Sequence, residues 1–190
     1  VLGFGGTGAN LVKQGEVVQP IIICGNAKAR SKRPKSNDLY KNMISANRYL
    51  GFNVPVLGKF PNLRINTIGH IDVVNFIEKQ ILKFKPNRIF THHPSDLNND
   101  HVQISNACLA ASRLFQRRPK LSPIDAIYFM EILSSTDWSF SAARDVFKPD
   151  TFSDITETLK LKIKALSKYK DVMRAQPHPR SKEILTGHAA

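Results

Sequence analysis

The sequence predicts an α/β fold built on a mostly parallel sheet, and three observations carry that reading. Short apolar runs at residues 17–24, 53–57, 88–90 and 125–133 alternate with longer stretches whose apolar residues recur at helical spacing. Glycine or proline stands where those stretches end, at Gly15, Gly51, Pro86 and Pro119. The run at 88–90 opens into Thr91-His92-His93-Pro94-Ser95-Asp96-Leu97-Asn98-Asn99-Asp100-His101, eleven residues holding three of the six histidines and two carboxylates, with a helical pattern beyond. A strand end that leads into a helix start is where an open parallel sheet gathers its ligands.

Taken in order, Gly3, Gly5 and Gly8 formally satisfy GxGxxG before a short helix at 9–14. A dinucleotide fingerprint also needs a preceding strand and an acidic residue ending the next one, and that next run ends in Gly25-Asn26. The basic stretch Lys28, Arg30, Lys32, Arg33 and Lys35 has no apolar residue except alanine, so an exposed loop is expected, with a phosphate grip as the rival reading. A helix follows from an N-capping Ser36 to Leu50, with Leu39, Met43, Ala46 and Leu50 on one face. After a strand at 53–57, the irregular stretch Phe60-Pro61-Asn62-Leu63-Arg64 carries a lone arginine. Residues 70–85 place Ile71, Val74, Ile77, Ile81 and Phe84 at helical spacing.

The helix after the histidine loop is expected over 102–115, with Ile104, Cys108, Ala111 and Phe115 along one side. Next comes a strand at 125–133 that delivers the polar stretch Ser134 to Phe140 around Trp138, the only tryptophan, as a loop anchor or a substrate wall. One long amphipathic helix is expected over 151–175, capped by Ser153 and Asp154, with its lysines outward. The tail Pro177-His178-Pro179-Arg180-Ser181 is too proline-broken to be regular. Counted through, the alternation gives a Rossmann-like three-layer sandwich in a single domain spanning 1–190.

Composition bounds the partners. Lys plus Arg number 28 against 15 Asp plus Glu, a net charge of +13, which attracts nucleic acid, anionic headgroups or phosphorylated small molecules without choosing among them. Cys24 and Cys108 have no CxxC spacing, so no zinc knot or disulfide framework is indicated, and a reducing, cytoplasmic setting is expected. No apolar run approaches the ~20 residues of a membrane span.

The candidate chemistry lies in the histidine loop. Neutral imidazoles and carboxylates are what a divalent metal binds, and His101 sits at a helix start whose partial positive charge favours the neutral ring. Asp100 beside it can cap the helix or steer that ring, yet Asn98, Asn99 and Asp100 are also what a plain turn and cap would use. Histidine has no such turn role, so the clustering favours a metal or acid–base site.

These stretches together resemble the PIG-L/LmbE family of zinc-dependent de-N-acetylases. The agreement runs through Val1-Leu2-Gly3-Phe4-Gly5-Gly6-Thr7, Phe60 to Arg64, Thr91 to His101, Ser134 to Trp138 and His178-Pro179-Arg180-Ser181. The resemblance implies that His101 is a zinc ligand and that Asp96 and Asp100 orient His101 and its loop. It assigns Arg64, His93, His178 and Arg180 to substrate. Asn98 stands where many members carry a second histidine that steadies the tetrahedral intermediate. The family's His-Pro-Asp-Asp-Glu, which supplies two further ligands and the general base, would directly precede Val1. The chain is therefore expected to be cut at both ends, with the remaining zinc ligands upstream of Val1 and little activity as given. His92 and His93, adjacent in an irregular loop, are not expected to replace those ligands.

The implied reaction is hydrolysis of an N-acetyl group from a sugar amine or glycoconjugate, phosphate-bearing or not, by metal-activated water. Two other classes compete. A nucleotide-binding oxidoreductase would use the glycine turn and the basic run, but leaves the histidine loop without a purpose. A nucleic-acid-binding module would use the charge, but no stacking aromatics are interleaved with the lysines.

Overall fold

A computed structural model describes residues 1–26, 35–139, 146–170 and 172–189. Lys28, Arg30, Lys32 and Arg33 lie outside the described residues, while Lys35 is exposed. The strands are β1 (Ile21–Ile22), β2 (Val56–Leu57), β3 (Arg88–His92) and β4 (Ala126–Met130). The helices are α1 (Gly5–Lys13), α2 (Ser36–Tyr49), α3 (His70–Phe84), α4 (Asn99–Ser112), α5 (Leu159–Leu166) and α6 (Lys182–Gly187).

Pairing is parallel in both ladders, β1 with β2 and β3 with β4, so the architecture is α/β as the alternation required. The expected sheet is present as two two-stranded pieces. Isolated bridges between Cys24 and Lys59 and between Asn26 and Pro61 extend the first of them.

Two cores lie on opposite faces of the strands, as a three-layer sandwich demands. One gathers Val73, Val74, Ile77 and Ile81 of α3 with Ala107, Cys108 and Ala111 of α4, and Ile21 and Ile89 pack onto it. The other joins Ala9, Ala46, Leu50, Phe52 and Ala165, with Phe4 and Val18 against it. Neighbouring strand side chains point to opposite faces, and β3 shows the result: Ile89 faces the first core while Phe90 lies 4.5 Å from the Phe4 ring.

Helix ends follow local chemistry. Gly51 beyond α2 has φ +77, the left-handed conformation that a helix end uses and glycine adopts without steric cost. Lys85 takes the same role after α3 at φ 46, just before Pro86. Ser36 proves to be the first helical residue of α2, and Lys35 occupies the cap position.

Several expectations are corrected. The short helix expected at 9–14 starts four residues earlier, as α1 at Gly5, and a Cβ on Gly8 would run into the Phe52 ring, so Gly8 serves close packing within a helix. The long helix expected over 151–175 shrinks to α5, because the Asp154 carboxylate accepts the Thr156 N–H at 2.9 Å and holds a non-helical turn ahead of it. Phe152 is accordingly exposed and Met173 lies beyond the helix. Nor do all its lysines face outward: Lys162 is buried, and burial lowers its amine below the ordinary value against the opposing pull of Glu131. The proline-broken tail ends in α6, whose cap is the buried Ser181, accepting the Ile184 N–H at 3.2 Å. Among the described residues no helix is long and apolar enough to cross a membrane.

Candidate active site

The site forms where β3 and β4 end side by side. Their register pairs His92 with Met130, so the residues after each strand emerge at the same edge. β3 runs two residues further than the apolar run suggested, which makes His92 a strand residue rather than part of an irregular loop.

Asn98 caps α4: its side-chain oxygen accepts the Asp100 N–H at 3.0 Å, the plain capping role that the Asn-Asn-Asp run allowed. That cap fixes His101 in the first turn. Asp96 then holds the ring, its Oδ2 lying 3.0 Å from His101 Nδ1. The Asp96 carboxyl is fully buried and its remaining capacity is used: Asn98 N–H donates to Oδ1 at 2.8 Å, Ser135 Oγ donates to Oδ1, and Thr136 Oγ donates to Oδ2 at 3.3 Å. Burial alone would raise its pKa, but hydrogen bonds from His101, Ser135 and Asn98 outweigh it and hold Asp96 below the ordinary carboxylate value. An ionised carboxylate only accepts, so the His101 proton sits on Nδ1 and the lone pair on Nε2 is left for a ligand.

His92 stacks on His101 with ring centroids 3.8 Å apart and planes 4° from parallel. Burial above all pushes His92 down to about 3, so it is a neutral ring near neutrality. Its Nδ1 is buried and has no hydrogen-bond partner among the described residues. Donor atoms of His92, Asp96 and His101 lie within 4.8 Å of one another. That grouping does not amount to a three-ligand metal site. A metal lies in the plane of an imidazole that binds it, and two stacked parallel rings share no in-plane point, while both Asp96 oxygens are engaged. The described cluster therefore fits a divalent metal through one oriented ligand, His101, with Asp96 as the carboxylate that fixes its tautomer.

The other expected residues fall into two groups around this centre. Arg180 donates from Nε to Ser134 Oγ at 2.7 Å, and Ser134 adjoins the Ser135 that bonds Asp96. His178 accepts the Arg180 N–H at 3.0 Å on Nδ1 and packs 6.0 Å from Trp138, whose backbone N–H donates to the Ser135 carbonyl. The His178–Arg180 tail and Trp138 are thus drawn to the same loop. His93 turns aside from the His101 ring: its Nδ1 lies 2.8 Å from Ser95 Oγ, and its ring sits edge-on to Phe129 and Phe147. Asp100 does not act where it was expected either. Its buried carboxylate accepts the backbone N–H groups of Leu63 and of Ile65, the latter at 3.2 Å, and so engages the loop of the exposed Arg64.

Sequence reasoning missed the roles of Ser135, Thr136 and His92. A signal for the first two existed, since Ser-Ser-Thr follows an apolar run as the histidine loop does; what was not legible is that the two runs are neighbours.

Comparison with known proteins completes the picture. No protein of curated function matches the chain. Among solved structures it is similar to the conserved protein TT1542 from Thermus thermophilus, at 16% identity and TM-score 0.76 over 98% of this chain and 78% of the other. It is similar to GalB, the 4-carboxy-2-hydroxymuconate hydratase from Pseudomonas putida, at 18% identity and TM-score 0.71 over 97% and 77% of the two chains. The N,N'-diacetylchitobiose deacetylase from Pyrococcus horikoshii gives 18% identity and TM-score 0.66 over 90% of this chain and 66% of that one. Such identities establish the fold alone, and a hydratase and a deacetylase on one fold show that the fold does not choose the reaction. The choice comes from the family model of GlcNAc-PI de-N-acetylase, which matches residues 1–112 and so takes in the glycine helix, the Arg64 loop and the whole of the His92–His101 segment: the chain belongs to the PIG-L family of hydrolytic de-N-acetylases.

Proposed function

We propose that the protein removes the N-acetyl group of an N-acetylglucosamine-type sugar or glycoconjugate with zinc as its metal, and that His101 is one of the zinc ligands. The observation that carries this reading is the buried Asp96 bound to His101 Nδ1 at 3.0 Å, which leaves Nε2 directed to a ligand. A divalent metal there supplies a Lewis acid for the acetamide carbonyl and a more acidic water.

The chain's own residues hold and orient. Asp96 fixes the His101 tautomer, Ser135 and Thr136 keep Asp96 ionised, and Asn98 sets the helix start. Arg64, His178 and Arg180 face hydroxyl or phosphate groups of the substrate, in keeping with the net charge of +13; His93 lines the same loop. The further ligands come from residues joined upstream of Val1. Support lies in the place of the first residues: Gly3 packs against Glu131 and Ile132 just beyond β4, at the edge where the site forms. A cytoplasmic setting accords with Cys24 and Cys108 as free thiols.

The test compares the chain as given with a form extended upstream by His-Pro-Asp-Asp-Glu, measuring zinc per chain and acetate released from an N-acetylglucosaminide. One zinc and acetate release are expected in the extended form, and His101→Ala should lower both zinc affinity and rate by on the order of 10²-fold or more. Equal zinc and equal activity in the two forms would sink the placement of the site, and zinc without acetate would sink the reaction.

A further inference from the structure

The loop that carries Arg64 is held in a way its own sequence does not explain. Leu63 sits at φ 59, a region L residues rarely occupy, and the residue is 53% exposed, so burial does not put it there. What engages it is Asp100, whose Oδ2 accepts the Leu63 N–H while Oδ1 accepts the Ile65 N–H at 3.2 Å. Those two amides flank Arg64. Capping of α4 is already done by the Asn98 side chain, so the Asp100 carboxylate is spare for this task. The Cys24 thiol donates to the same Oδ2 at 3.8 Å from the end of the β1 segment, and Ile65, 1% exposed, anchors the far side of the loop in the first core.

We infer that Asp100 is a positioning residue for Arg64: it clamps the backbone on both sides of the arginine and ties it to the helix turn that carries His101. The inference rests on the reading of Arg64 as a substrate contact. Through the clamp, the spacing between a substrate-binding guanidinium and the reacting centre is set by one buried carboxylate rather than by a mobile loop. Two unidentate N–H bonds to a charged acceptor also explain why the loop tolerates an unfavourable backbone conformation at Leu63.

Asp100→Asn keeps the size and one acceptor oxygen but removes the other, so one clamp bond is lost. Amide hydrogen exchange should then quicken about tenfold at whichever of Leu63 and Ile65 loses its acceptor, the effect of losing a single hydrogen bond, while the amides of α3 and β3 keep their protection. Asp96→Asn should leave the Leu63 and Ile65 amides unchanged. In the form that releases acetate, Asp100→Asn should raise KM about tenfold with kcat nearly constant, and Arg64→Ala combined with it should be no worse than Arg64→Ala alone. Unchanged exchange at both Leu63 and Ile65, or additive KM effects, overturns the clamp while leaving Arg64 a substrate contact. A wild-type KM in Arg64→Ala overturns the substrate reading of Arg64, and the positioning role with it.

Discussion

At the scale of the residue, the site is governed by which polar groups find partners away from water. Asp96 and Asp100 are both buried carboxylates four residues apart, yet they serve different loops, because each takes the N–H and O–H groups that its own position meets. The same economy disarms Cys24. Burial first, and then the charge and hydrogen bond of Asp100, push its thiol up to about 12. Ionisation is resisted in the folded state only, so this contribution to stability is complete below the ordinary thiol value and fades as pH climbs toward about 12. Near pH 8 the thiolate fraction is about a thousandfold below that of a free cysteine, and native Cys24 should resist iodoacetamide. Peptide mapping checks this: Asp100→Asn should speed alkylation of Cys24 and leave the buried Cys108 silent, whereas urea should expose both. Rapid native labelling of Cys24 in the unaltered chain would contradict the contact. Much of this scale was legible beforehand. Side-chain chemistry and a helix start single out His101 and the capping residues from the sequence, but the partner of each carboxylate depends on groups 35 to 40 positions away in the chain.

At the scale of the element, packing overrides propensity in two places. Gly8 lies inside α1, where alanine would gain roughly 1 kcal/mol of helix propensity. Its new methyl would run into the Phe52 ring and lie 2.6 Å from Phe4, both rings belonging to the second core. Overpacking of that kind costs roughly 1–3 kcal/mol, so Gly8→Ala should be net destabilising in urea unfolding. A stabilised Gly8→Ala would mean that α1 does not press on those rings. The second place is the region of α5, where apolar spacing suggested one helix over 151–175 and only Leu159–Leu166 forms. Thr158 shows what competes: its hydroxyl donates to the Gly6 carbonyl at 2.9 Å and is buried, so the turn before α5 is bound to α1 rather than wound into a longer helix. Periodicity located α2 and α3 nearly to the residue because most of their apolar stripe is also their buried face, Ile71 being an exposed exception. By contrast, α4 starts and ends three residues earlier than the expected 102–115, because the Asn98 cap sets its start.

At the scale of the whole molecule, the strands separate two cores that share few neighbours. Ile77 belongs to the core between α3 and α4, Leu50 to the one formed by α1, α2 and α5. Ile77→Ala and Leu50→Ala should each cost about 2–4 kcal/mol, and their double variant should be additive within about 0.5 kcal/mol in urea unfolding. A coupling well beyond that would show that the two faces act as one core. This layering also places the chemistry. Parallel strands bring the ends of β3 and β4 to one edge, where the loops carrying His101 and Ser135 meet.

The sequence by itself determined the alternation of elements, hence the α/β class, the capping run before α4 and the identity of the histidine-rich loop, because these depend on residue type and spacing within some ten positions. It also carried the resemblance that the family match later bore out. The tertiary structure alone decided that β3 lies beside β4, that Ser135 completes the Asp96 network, that His92 stacks flat on His101 and that Asp100 reaches the Arg64 loop. Those contacts join segments far apart in the chain. They exist only once the sheet order is fixed, and sheet order is set by burial of both faces together, a property that no local stretch of sequence contains.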